Sequence, residues 1–198
     1  MANPFAEIIS GIEPIPDPNF GPRYRCALTL KDGTFLPCTV LQSKTKVVDL
    51  AKRRIKEEMN GKGRIGGPDP YGQILSAFVA GGNRVNDYDV ASALPSRFAA
   101  PLALLRQIRR ETTMAWTGWV FEMKDERLFS YGTSFNMEFF DLPDGYKFSD
   151  VVRVHNHSFV SSDGVLRTLE QGSVLPADYN HAGLLRARVF FICNIAGI

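Results

Sequence analysis

The sequence predicts an α+β protein: an N-terminal arm, a hairpin and helices, then a mainly antiparallel β-sheet or small barrel in the C-terminal half. Three observations carry this. Tyr24, Cys26, Leu28 and Leu30 alternate with Arg25, Ala27, Thr29 and Lys31, stop at Asp32-Gly33, and a second run begins at Thr34, which is hairpin patterning. Val47, Ala51 and Ile55 recur every four residues between Lys44 and Asn60, a helical period. From about residue 112 onward, Trp116 to Met123, Leu128 to Phe140, Val151 to Val160 and Ala187 to Asn194 are rich in aromatic and β-branched residues that suit a pleated surface. Turn sequences separate them, notably Lys124-Asp125-Glu126, Pro143-Asp144-Gly145 and Asp163-Gly164.

Residues 1–22 hold five prolines, Pro4, Pro14, Pro16, Pro18 and Pro22, and read as an extended arm. Ile8, Ile9, Ile12 and Ile15 give that arm apolar surface with which to dock on its own domain. Residues 23–198 read as one α+β domain, with subdivision allowed near 61–72 or 112. In the hairpin, Pro37 lacks a ladder donor, so the second strand lies at an edge or carries a bulge. A two-residue turn would set Lys31 against Thr34, Cys26 against Thr39 and Cys38 against Ala27. The thiols of Cys26 and Cys38 then point to opposite faces. With Cys193 as the third cysteine this is no disulfide framework, and a reduced, cytoplasmic protein is expected.

The helix from Lys44 to Asn60 stops at Gly61. Its many cations have carboxylates at helix spacing, Asp49 before Arg53 and Glu58 after Arg54, so a solvated face is expected rather than a nucleic-acid surface. Residues 61–72 contain five glycines and two prolines and form a linker or loop. They lack the terminal Lys-Ser/Thr and the strand-to-helix context of a phosphate-binding loop. Tyr71 to Ala80 reads as a short helix, and Gly81-Gly82-Asn83 as a turn. Pro101 can open another helix lined by Leu102, Leu105 and Ile108. The C-terminal core is expected to include Trp119, Phe121, Phe139, Val152, Val154, Phe190 and Ile192.

Composition excludes several classes. A formal charge of +2 gives no electrostatic case for nucleic acid. Phe129, Tyr131, Phe135, Phe139 and Phe140 could stack on bases, but they have few basic neighbours, and nucleic-acid binding is not favoured. No apolar run reaches the ~18–20 residues of a membrane helix, and no secretory leader is expected. Cys193 sits in the apolar run Val189-Phe190-Phe191-Ile192-Cys193 and reads as inert packing. No Gly-x-Ser-x-Gly elbow occurs.

Chemistry concentrates in three histidines, His155, His157 and His181, with Asp178 three residues before the last. On a continuous strand His155 and His157 share a face. Three nitrogens and a carboxylate suit zinc or non-haem iron. The His-x-His strand, Glu170-Gln171-Gly172 and Pro176-Ala177-Asp178-Tyr179-Asn180-His181 resemble the metal-binding motifs of the cupins over about residues 145–195. Val151 to Ser158 with Asp178 also resembles the histidine pair and aspartate of JAB/MPN-type metallohydrolases. That resemblance implies a glutamate base, for which Glu111 or Glu122 could stand. The bland alternative is a polar strand face, with Asp178 capping a short helix.

Two functions follow. The first is a non-enzymatic protein that binds another macromolecule, most readily a protein, without a cofactor. The alternative is a mononuclear metal-dependent enzyme, cupin-like or JAB/MPN-like, using His155, His157, His181 and Asp178.

Overall fold

The alternating run at residues 24–30 does form the hairpin, but its register is reached by two offsetting irregularities. The computed structural model describes residues 3–63, 69–78, 81–108, 116–134, 137–169, 178, 180 and 182–198. Strand β1 (Ile15–Asp17) pairs with β2 (Gly21–Leu30), which runs antiparallel to β3 (Phe35–Ser43). The Leu30 amide donates to the Thr34 carbonyl at 2.8 Å, and Gly33 takes φ +88°. The loop is therefore Lys31-Asp32-Gly33, three residues with a left-handed glycine. That shifts the count by one. A bulge then shifts it back: Leu28 faces Leu36, yet Cys26 faces Thr39, so Pro37 and Cys38 together oppose Ala27. The missing donor of Pro37 falls where the ladder is already broken. Its carbonyl accepts from Ser96 Oγ at 2.6 Å.

The described residues divide into two compact units, 1–96 with 190–198, and 97–189. In the first, β3 pairs in parallel with the last strand of the chain, numbered β12 (Phe191–Ile195), and β12 pairs in parallel with β4 (Arg84–Val85). Strand β5 (Val90–Pro95) joins the free side of β2. Helix α1 (Ala6–Gly11) forms within the proline-rich arm. The gap between Pro4 and Pro14 is long enough for a helical turn, and burying Phe5 and Ile8 against Cys26, Leu28, Ala93 and Ile195 contributes about 1.5–3 kcal/mol per side chain. Helix α2 (Lys44–Met59) starts at Ser43, whose Oγ accepts from the Lys46 amide, and buries Val47, Leu50 and Ala51. Gly61, at φ +66°, ends it. Its ion pairs among the described residues converge on Glu57, from Arg53 and Arg54, instead of the expected Asp49–Arg53 and Arg54–Glu58. Helix α3 (Pro70–Phe78) packs on α2.

The second unit is built on aromatic rings. Helix α4 (Leu102–Leu105) follows Pro101 and is a single turn. Strands β6 (Thr117–Met123), β7 (Leu128–Thr133) and β8 (Val151–Asn156) are antiparallel, and the short β11 (Leu185–Arg186) adds in parallel to β7. Trp119 stacks on Tyr131 with centroids 5.8 Å apart and meets Phe140 edge-on at 5.2 Å. Such pairs add about 0.5–1.5 kcal/mol beyond area burial. The Tyr131 hydroxyl donates to the Asp141 carbonyl at 3.1 Å, which satisfies it in the core. Burial pushes its phenol pKa well up. A separate hairpin joins β9 (Ser158–Val160) to β10 (Leu166–Thr168).

Three local expectations change. The run Ala187 to Asn194 does not extend the C-terminal sheet; its strand, β12, lies parallel between β3 and β4. Val152 is 57% exposed rather than core, because a bulge between Glu122 and Met123 pairings turns it out. The expected strand Val151 to Val160 breaks at His157, where φ is +50°. No helix among the described residues is long and apolar enough to cross a membrane.

Candidate functional sites

His155 lies opposite Val120 on β6, and two residues along that strand is Glu122. Residues i and i+2 of a strand share a face, so the imidazole reaches the carboxylate diagonally. His155 Nε2 and Glu122 Oε2 are 2.7 Å apart, with the two side chains 20% and 29% exposed. The carboxylate orients the ring and favours a proton on Nε2 in the neutral form, which leaves Nδ1 as the basic nitrogen. Glu122 was one of two glutamates raised above as a base. Glu111, the other, and Glu170 of the cupin-like motif lie outside the described residues.

His157 is not placed as a continuous strand would place it. It occupies the turn between β8 and β9, with its amide donating to the Gly118 carbonyl at 3.1 Å and its carbonyl accepting from the Leu169 amide at 2.6 Å. Left-handed backbone here removes the i, i+2 relation to His155. Its Nε2 is buried and makes no hydrogen bond among the described residues.

Asp178 is spoken for by a cation. Its carboxylate lies 3.3 Å from Arg167 Nε, and Arg167 also pairs with Asp163 at 3.1 Å. Asp163 accepts from the Ser161 hydroxyl, and this bond, the Val165 amide and Arg167 hold its carboxyl below the usual range. The Asp178 carbonyl caps the Ser162 amide at 2.9 Å. His181 and residues 170–177 lie outside the described residues. Among the described residues no group of three His, Cys, Asp or Glu side chains is placed to hold a metal ion.

Among the described residues two concave surfaces stand out, one in each unit. The first is a groove of about 250 Å³ between α2 and α3, lined by Ile55, Glu58, Met59, Tyr71 and Ile74. Ile74 is fully buried, whereas Met59 is 83% and Tyr71 58% exposed. Of the stretch 61–72 expected to be a linker or loop, Pro70 to Gly72 instead form the first residues of α3, and residues 64–68 lie outside the described residues. The second is a cavity of about 470 Å³ lined by Arg97, Phe98 and residues 141–148. There the guanidinium carbons of Arg188 and Arg97 lie 4.1 Å and 4.6 Å from the Phe98 ring centre. Arg188 is neutralised by Asp141 at 2.5 Å.

Sequence reasoning named neither surface. Met59 extends the four-residue spacing of Val47, Ala51 and Ile55 by one step, but it is the last residue of α2 and lies exposed. Phe98 and Arg188 are ninety residues apart in the chain and no local pattern links them. No family model matches the chain, and no curated protein or solved structure matches it at a significant level.

Proposed function

We propose that this chain acts by binding another protein through the apolar groove between α2 and α3. The observation that supports this reading is the joint exposure of Met59 and Tyr71 over a floor of Ile55 and Ile74. Single exposed apolar residues are ordinary on protein surfaces. A methionine and a tyrosine flanking one apolar cleft have the composition of an interface centre, where pliable thioether and rigid amphipathic ring are enriched. A groove between two helices suits the apolar stripe of a third. The charged group that lines the groove is Glu58, so a stripe flanked by basic residues complements it.

Selection of displayed amphipathic peptides on the whole chain tests this. Selected peptides should be apolar at helical spacing with basic rather than acidic flanks, and their binding should fall by about tenfold or more in a Met59→Glu, Tyr71→Ser variant. Equal binding to that variant would remove the groove from the proposal.

The alternative, a zinc or iron enzyme using His155, His157, His181 and Asp178, is supported by the buried, unbonded Nε2 of His157 among the described residues. Zinc titration followed by metal analysis tests it. Stoichiometric uptake that is lost in His157→Ala favours the metal reading; no uptake removes it.

A further inference from the structure

We propose that the cavity of the second unit binds a small aryl monoanion, a flat apolar body carrying one carboxylate or sulfonate. Its volume, about 470 Å³, is within the range of small-molecule sites. Phe98, Tyr146 and Phe148 supply aromatic surface, and Tyr146 is fixed because its hydroxyl donates to Asp125 at 2.6 Å and its ring meets Phe129 edge-on. A pre-set aromatic wall lowers the ordering cost of binding a flat ligand.

Charge selects the ligand's sign and number. Arg188 is already paired with Asp141. The cavity's remaining cations, Arg97 and Lys147, make no ion pair among the described residues, and neither does the remaining acid, Asp144. Among the lining residues two cations stand against one carboxylate; Lys147 also acts on Asp150, whose carboxyl it helps to hold low, so Arg97 is the cation best placed to meet an anion. Arg97 holds its guanidinium against the buried Phe98, beside the more open rings of Tyr146 and Phe148, so the guanidinium can meet the ligand's anion while those two rings meet its body. A dianion such as a phosphate monoester would be opposed by Asp144.

The probe is 1-anilinonaphthalene-8-sulfonate, an aryl monoanion whose emission rises and shifts to the blue on burial. Titrated into the whole folded chain, it should saturate one site. Arg97→Gln with Lys147→Gln should weaken that site by about tenfold or more, Arg97→Lys should retain part of the affinity, and Asp144→Asn should tighten it by about twofold or more. The uncharged N-phenyl-1-naphthylamine should bind more weakly than the sulfonate. These side chains are exposed, so circular dichroism should show the variants folded. Met59→Glu should leave the site unchanged, which separates it from the groove of the first unit. The proposal is overturned if the probe does not saturate, if the double variant binds as the parent does, if Asp144→Asn weakens binding, or if Met59→Glu abolishes it.

Discussion

Gly132→Ala is a one-methyl test of how the second unit is packed. Gly132 sits on β7 opposite Gly118 of β6. A Cβ built on it would lie 1.9 Å from Trp116 Cζ2, 2.6 Å from Cη2 and 2.8 Å from Cε2. Carbon atoms pack at about 3.5–4.0 Å, so the indole must retreat by roughly 1.5 Å or more. It is held on its other side. Trp116 packs against the cluster of Phe159, Leu169 and Leu184, and the Arg186 guanidinium lies 5.3 Å from its ring. Full loss of a buried tryptophan costs about 3–5 kcal/mol; Trp116 is only partly buried, and alanine recovers about 0.5–1 kcal/mol of strand propensity. The net expectation is a loss of about 2 kcal/mol. In a Trp116→Ala background the clash is gone, so the same substitution should be neutral or slightly stabilising, a coupling of about 2–3 kcal/mol. Urea unfolding followed by far-ultraviolet circular dichroism on the four chains of the cycle measures it. A Gly132→Ala chain within about 0.5 kcal/mol of the parent, or a penalty that persists without the indole, would refute the reasoning.

Cys26 and Cys193 are pushed up to about 12 by burial, with each other's neighbourhood adding to the effect on Cys26. Both should resist alkylation in the folded chain, and all three cysteines should react once it is unfolded without reductant; two unreactive thiols in the unfolded chain would mean a disulfide that the free cysteines here contradict. The folded state keeps these protons longer than the unfolded chain, so stability should fall as pH rises from about 9 toward 12. A denaturation midpoint that is flat across that window would count against buried thiols. For His155, long-range nitrogen–proton NMR on the neutral ring should show the proton on Nε2, and Glu122→Ala should reduce that preference; a proton on Nδ1 in the parent would break the diagonal pair.

Much of the fold was legible where a local signal and the tertiary outcome agree. Gly61 ends α2 by capping chemistry that needs no partner, and Pro37 announced an irregularity that the bulge realises. The pairing of Cys26 with Thr39 was read correctly for an incomplete reason: a three-residue turn and a bulge each shift the register, in opposite senses. Failures fall where distant pairing decides. Nothing within Phe191–Ile195 states that its partners are β3 and β4, well over a hundred residues earlier. Val152 is apolar and β-branched, yet a bulge opposite β6 turns it outward. The candidate site was less legible still. His155 found Glu122 through cross-strand geometry, His157 was moved by a left-handed turn, and Asp178 was taken by Arg167. Both concave surfaces join residues from separate stretches of the chain, a property that periodicity does not encode.

Methyl NMR reads the proposed protein-binding role of the α2–α3 groove directly. With a display-selected amphipathic peptide titrated into the whole chain, the methyl signals of Met59, Ile55 and Ile74 should move to saturation together. Those of Val152 and Val189, exposed but remote from the groove in the chain, should stay in place. Saturating shifts at Val152 or Val189 with the groove methyls unmoved would contradict the claim.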